Sequence, residues 1–378
     1  MKREGLIDIL SSIAVVVIGL AIGFIILLVS NASEAIPAFN TILTFGFSSM
    51  RNVGDVLLLA TPIILTGLSV AFAFKTGLFN IGASGQFTIG GFVAIYIGVQ
   101  SSLPPFPRIL LAVIAAAVAG GLWGAIPGLL KAYRNVNEVI SSIMTNYIAM
   151  FLVNFAIMNG LSIPTPWGSI RITEPIFDRG RGTTLRMPDD SVLPSLGLEN
   201  IFNDGFRSSH INIGILIAIA TAILIYVILE KTTFGYELKA CGFNKDAAKY
   251  AGINQNRNIV YSMMICGALA GLGGALNYMV GTGLSMGTVD VLAPEGFMGI
   301  SVAFLGLNNP IGIIFSGTLI SYLFLGGTRM QVFGFSVELI EMVISIIIYF
   351  CAFVTIVRAF FASKNRANTL MKTEEESG

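Results

Sequence analysis

Hydrophobic runs long enough to cross a bilayer recur along almost the whole chain, and they restrict its fold more than any other feature. About 20 apolar residues are needed to span a hydrocarbon core of about 30 Å. Clear runs of that kind occupy residues 9–29, 53–74, 109–130, 139–158, 211–229, 259–280 and 335–357. Three shorter, glycine-interrupted runs lie at 86–99, 294–307 and 311–325, and a re-entrant segment suits one of them as well as a span. Within lipid every backbone polar group must be satisfied inside its own segment, which leaves helices. The expectation is an all-α, polytopic membrane protein of about ten transmembrane helices, forming a single transmembrane domain over residues 1–378.

Charge supports that reading and closes off others. Only 11% of residues are charged, against about 25% in a soluble domain. The 22 basic and 21 acidic residues nearly cancel, so no field for nucleic acid exists. Cys241, Cys266 and Cys351 are too far apart for a metal cluster or a disulfide framework and read as small apolar residues. The single histidine, His210, reads as incidental. No catalytic constellation, metal site, cofactor motif or glycine-rich Walker loop is present in the sequence. A membrane enzyme is therefore disfavoured.

With ten spans and the N-terminus inside, the inner segments hold fourteen of the 22 basic residues, among them Lys2, Arg3, Lys75, Lys131, Arg134 and Lys231. The short outer segments hold three, Arg51, Arg108 and Arg329. Long loops count little in the positive-inside rule, so fourteen against three places both termini in the cytoplasm. The first run follows Lys2 and Arg3, and Ser30-Asn31-Ala32 could pass for a cleavage site. At about 21 residues it exceeds a signal core and reads as a retained helix.

Two segments face water. Residues 160–210, rich in Pro, Gly and charge, form a long extracytoplasmic loop, suited equally to contacting a delivering protein and to simple solvation. Residues 230–258 lie on the inner side and read as two short amphipathic helices, 236–241 and 245–251, separated by Gly242 and with Asn244 as the second N-cap. Such a pair can dock on another protein or rest on lipid headgroups. The residues alone leave both open.

Within the membrane, residues 77–86 (GLFNIGASGQ) carry three glycines between apolar runs. They read as a broken helix near a solute path, with Asn80, Ser84 and Gln86 as polar groups, or as an ordinary cytoplasmic turn. Glu138, Asn146 and Asn154 recur every eight residues on one helix, with Tyr147 beside Asn146; interhelical glue fits them at least as well as substrate contact, and Glu138, near the inner end, also suits snorkelling. Gly120, Gly124 and Gly128, like Gly267 and Gly271, are spaced for close helix packing. A weak internal repeat of 232 residues matches Pro62, Gly67, Ser69, Val70, Ala71, Phe72, Ile81, Ser84 and Gly85 to Pro294, Gly299, Ser301, Val302, Ala303, Phe304, Ile313, Ser316 and Gly317. On this topology both copies run outside to inside.

Four stretches together, 77–86, 137–149 (NEVISSIMTNYIA), 233–253 and 296–312 (GFMGISVAFLGLNNPIG), make the chain resemble the permease subunits of bacterial nucleoside ABC importers. That group lies within the wider set serving ribose-type sugars and branched-chain amino acids. The resemblance departs at Ser84, where the family pattern often has an acidic residue, so a substrate contact made there would be altered.

The resemblance implies a subunit of the bacterial cytoplasmic membrane that forms half of a translocation path. It also implies a separate ATP-binding subunit, a second homologous permease in a heterodimer and a substrate-binding lipoprotein. On that basis 233–253 holds the coupling helix, through Gly235, Glu237, Lys239, Gly242, Asn244, Ala247, Ala248 and Gly252. Nucleosides need aromatic faces and amides; Phe72, Phe79, Asn80, Ser84, Gln86, Asn146, Tyr147 and Phe304 are the path candidates. A pentose or other simple sugar would use similar groups. An ion-coupled secondary transporter is the alternative of a different class. It commonly needs intramembrane carboxylates, and here Glu138, Asp290, Glu295, Glu338 and Glu341 all fall near span ends.

Overall fold

A computed structural model describes residues 2–158, 162–165, 168–171, 184–195, 198, 209–282 and 284–360. Its helices are α1 (Lys2–Ser30), α2 (Ala32–Thr44), α3 (Met50–Lys75), α4 (Ala83–Gln100), α5 (Pro105–Arg134), α6 (Glu138–Met158) and α7 (Gly214–Lys231). They continue as α8 (Thr233–Phe243), α9 (Lys245–Tyr250), α10 (Gln255–Tyr278), α11 (Pro294–Leu305), α12 (Pro310–Thr328) and α13 (Val337–Cys351). Four short strands are β1 (Ser162–Thr165), β2 (Gly168–Arg171), β3 (Thr184–Arg186) and β4 (Ser285–Gly287).

Each of the ten expected segments is helical. Among the described residues seven helices are long and apolar enough to cross a membrane, and up to eight if α13 and its continuation Val354–Phe360, bent by 43°, form one span. The chain is a multi-pass membrane protein. Two expected spans fall short of that standard for visible reasons: α4 carries glutamines at residues 86 and 100, and α11 has only 12 residues. The amphipathic helix α2, too short to span, was not expected. It folds back so that Phe39 packs on Phe24 at 4.8 Å and the Leu43 carbonyl accepts from the Tyr322 hydroxyl at 2.6 Å.

The core is built around α3, whose residues 60–73 are all buried. A helix apolar on every side has no solvent face and belongs inside a bundle. Beside it α5 and α10 touch backbone to backbone. A Cβ on Gly271 would stand 2.9 Å from the Gly120 Cα, and one on Gly124 would stand 3.1 Å from the Gly267 Cα. The packing role expected of these glycines is what the structure shows. Gly267→Leu is therefore predicted to force α5 and α10 apart. Loss of the monodisperse peak in size-exclusion chromatography of the detergent-solubilised protein would register it.

The internal repeat is visible as two helical hairpins, α3–α4 and α11–α12, packed on each other. A Cβ on Gly67 would meet Val302 at 2.7 Å, and one on Gly299 would meet Thr66 at 2.7 Å. The Thr66 hydroxyl donates to the Glu295 carbonyl at 2.9 Å, and farther along both helices the rings of Phe74 and Phe304 lie 4.9 Å apart. Residue numbers rise together on α3 and α11, so the two copies run parallel.

Part of the long loop is strapped down rather than solvated. β3 pairs antiparallel with β4, and Leu185, Met187, Leu193 and Met286 are buried beneath it. Arg108 at the start of α5 donates to both carboxylate oxygens of Asp190, at 2.9 and 3.0 Å. Residues 172–183 and 199–208 lie outside the described residues. His210 is exposed.

Candidate functional site

The turn between α3 and α4 is non-helical backbone that the protein encloses. Leu78, Asn80, Ser84 and Gln86 are all buried. Gly77 takes φ +69°, a left-handed geometry that suits glycine. Asn80 and Gln86 exchange amide bonds: Asn80 Nδ2 donates to Gln86 Oε1 at 2.8 Å, and Gln86 Nε2 donates to Asn80 Oδ1 at 3.1 Å. Asn80 Nδ2 also donates to the Ser69 hydroxyl, which donates to the Cys266 carbonyl on α10 at 2.7 Å. From α6, Asn146 Nδ2 donates to the Ile81 carbonyl and its Oδ1 accepts from the Gly85 N–H, both at 2.9 Å. Ser84 donates to the Ala293 carbonyl at 2.9 Å. The stretch is a buried turn between two separate helices, and its polar side chains bond one another, the backbone, α6 and, through Ser69, α10.

The same geometry decides where the expected path residues stand. Phe72, Asn80, Ser84, Gln86 and Asn146 are buried within this chain, and the four polar ones bond backbone or one another. The reason is physical: a helix break inside a bilayer needs polar partners, and these side chains supply them. Phe79 and Phe304 are partly buried and flank Phe74, at 5.5 and 4.9 Å between ring centres. Tyr147 alone of the eight lines an open-sided cavity of about 780 Å³. That cavity lies between α6, the segment entering α11, and α13; its walls include Asp290, Phe297, Ser301, Ser345 and Tyr349.

The eight-residue stripe on α6 turns out to be a row of clamps. Glu138 pairs with Lys131 across the α5–α6 turn at 2.9 Å, and Asn146 holds the α3–α4 break. Asn154 holds the chain after β4, donating to the Val289 carbonyl at 2.7 Å and accepting from its N–H at 3.2 Å. Glue is the role the structure gives all three.

On the face that carries Lys75, Lys131 and Lys231, α8 and α9 form a compact pair beneath the bundle. The expected break at Gly242 is corrected: α8 runs through Gly242, and the helix ends at Asn244, whose side chain caps α9 by accepting from the Ala247 N–H at 3.0 Å. Asparagine with an extended backbone is a favoured N-cap, whereas Gly242 is there for proximity. A Cβ on Gly242 would stand 2.6 Å from the Lys75 carbonyl and 2.9 Å from the Gly77 nitrogen. The helix pair thus abuts the broken α3–α4 turn directly.

Most of the other expected coupling residues fix this pair in place. Gly235 lets α8 close against Leu229 of α7. Glu237 accepts from Arg257 and Asn258 of α10, at 3.2 and 3.1 Å, and Lys239 reaches Glu230 at 3.0 Å. Ala248 is buried, Gly252 ends α9 with φ +80°, and Ala247 is exposed. Sequence reasoning missed the outward-facing aromatics of the pair: Tyr236 is 71% exposed, Phe243 91% and Tyr250 94%. Three large rings on short polar helices were the available signal.

Comparison with known proteins adds a family to this geometry. The family model described as "Branched-chain amino acid transport system / permease component" matches residues 52–352. The chain is similar to the guanosine ABC transporter permease protein NupP of Bacillus subtilis, 38% identical over 89% of this chain and 91% of that one. It is similar to the nucleoside ABC transporter permease protein NupB of Lactococcus lactis, 36% identical over 89% and 88%. It is also similar to the glucose ABC transporter permease protein TsgB13 of Haloferax volcanii, 30% identical over 89% and 84%. Weaker matches reach a second permease from each of the two bacteria, NupQ and NupC. No solved structure matches the chain significantly. The bundle of spanning helices, the buried break between α3 and α4, and a family match that covers both and the α8–α9 pair lead to one statement: this chain belongs to the branched-chain amino acid transport system permease family.

Proposed function

We propose that this chain is the membrane-spanning half of an ABC importer for nucleosides. One observation carries the reading: likeness to a guanosine permease and a nucleoside permease extends over 89% of the chain in both cases. The chain does no ATP chemistry itself. Its power comes from a separate ATP-binding subunit seated on α8 and α9, which this reading places in the cytoplasm together with both termini. A second, homologous permease completes the passage as a heterodimer, in keeping with matches to two permeases in each of two bacteria. A binding lipoprotein delivers solute on the opposite side of the bacterial cytoplasmic membrane.

Coupling then has a short route. Closure of the ATPase moves α8; Gly242 bears on Lys75 and Gly77; and the break holding Asn80 and Gln86 is the hinge about which α4 swings. A ligand moves a two-state assembly only through contacts that differ between the states. The Gly242–Gly77 contact is where such a difference enters the bundle. Gly235, Glu237, Lys239, Asn244, Ala248 and Gly252 keep α8 and α9 stiff enough to transmit it.

The test is reconstitution of the chain with its ATPase, second permease and binding protein in liposomes. ATPase activity is expected to rise when binding protein loaded with guanosine is added, and the chain alone is expected to transport nothing. Uptake by the chain alone, driven by an ion gradient, would contradict the reading. The likeness to a glucose permease favours simple sugars as the second reading. Competition by purine nucleosides, pyrimidine nucleosides and pentoses separates the two.

A further inference from the structure

The segment that joins β4 to α11 is irregular backbone anchored to the sides of two long apolar helices. Asn154 grips Val289 through two hydrogen bonds, one turn inside the end of α6. At 21 residues α6 is about as long as the hydrocarbon is thick, and set upright across it the helix would carry Val289 about 6 Å inside. At the other end of the segment, the Glu295 carbonyl accepts from Thr66, in the middle of α3. Between those anchors residues 288–293 are non-helical. Val289 and Val291 are 53% and 73% exposed, and Asp290 is exposed as well.

Bare backbone and a carboxylate at this depth are tolerated only against protein or along a water-filled cavity. The cavity of about 780 Å³ that Asp290 and Val291 border has the make-up of half a solute pocket. Three outward aromatic rings, Tyr147, Phe297 and Tyr349, surround the few polar groups Asp290, Ser301 and Ser345. Aromatic walls with a few placed polar groups are the usual composition of small-molecule sites. Ser301 is the repeat partner of Ser69, whose hydroxyl is consumed in tying α3 to α10; the second copy leaves its serine on the cavity wall.

We infer that this face lines the aqueous passage, and that Asp290 is the residue that selects solute there. Its carboxylate accepts from a pair of adjacent donors on a nucleoside held between the rings. Two parts of guanosine offer such pairs, the ribose cis-diol and the N1–H with the 2-amino group of the base. The inference rests on the nucleoside reading above and deepens it.

The experiment uses the reconstituted importer, with Val291→Cys in a chain whose three native cysteines are replaced by alanine. A charged, water-soluble thiol reagent is expected to modify residue 291 in the assembled complex, and saturating guanosine with ATP cycling is expected to slow the reaction at least about threefold. Modification by a lipid-soluble maleimide alone would overturn the assignment of this face. Asp290→Asn is then expected to raise the KM for guanosine uptake by on the order of tenfold, the scale of one lost charge-assisted hydrogen bond. Inosine and 2′-deoxyguanosine as competitors tell which donor pair is read, since the variant loses discrimination against only the one lacking it. An unchanged KM and unchanged competition in Asp290→Asn would remove the selecting role. Failure of the wild-type complex to take up any nucleoside would instead sink the underlying functional reading.

Discussion

Truncating Phe243 and Tyr250 together to alanine is expected to reduce ATP-driven uptake to background while the chain still inserts and folds. Both rings are more than 90% exposed, so neither contributes packing within this chain. Large aromatics presented on a rigid pair of short helices match the anchors that dominate protein interfaces, where truncation of one costs about 2 kcal/mol or more. Two such losses weaken docking by roughly 10²–10³-fold. Loss of ATPase stimulation by loaded binding protein, with normal amounts of the chain in the membrane fraction, is the result to look for. Undiminished stimulation would show that the ATPase sits elsewhere.

The second large effect concerns the buried break. Replacing Asn146 by leucine keeps the branched outline, adds some bulk, and leaves the Gly85 N–H and the Ile81 carbonyl without their partner. Each orphaned buried group costs about 1–3 kcal/mol, so the variant should lose about 2–6 kcal/mol. A fall in melting temperature on the order of 3–8 °C follows for a chain of this size. Tyr147→Leu, one residue along the same helix, is the comparison. Its ring stands in the cavity at 46% exposure, so stability should barely change while uptake suffers. Equal melting temperatures for Asn146→Leu and the parent would contradict the clamp.

These two predictions separate what the sequence could reveal from what it could not. Apolar run length located the spanning helices found among the described residues, because the bilayer imposes one thickness on all of them. The glycine spacings of α5 and α10 likewise announced a close crossing, and the structure puts Gly120 and Gly124 against Gly267 and Gly271. Asn244 was recognisable as a cap from its local chemistry. Gly242 was misread as a break because a glycine between polar residues looks the same whether it ends a helix or admits a neighbour. Only the approach of Lys75 and Gly77, more than 160 residues earlier, tells the two apart.

The polar residues were ambiguous for a related reason. Asn80, Gln86, Asn146 and Tyr147 share the chemistry of a nucleoside site, yet three of them satisfy backbone and one another, and the fourth faces a cavity. Whether a buried amide is spent on the protein or left for a solute depends on distances that one-dimensional spacing does not encode. Asp290 was passed over as a residue near a span end. Its place on the cavity wall follows from the hold of Asn154 on the neighbouring Val289, a contact that sequence spacing does not encode.

Coupling through α8 and α9 is most directly tested by placing a photo-crosslinking amino acid at position 250 in the assembled complex. The account predicts capture of the nucleotide-hydrolysing subunit, with a yield that changes between nucleotide-free and ATP-bound states. Capture of lipid alone, or labelling of residue 250 from outside intact cells, would contradict it.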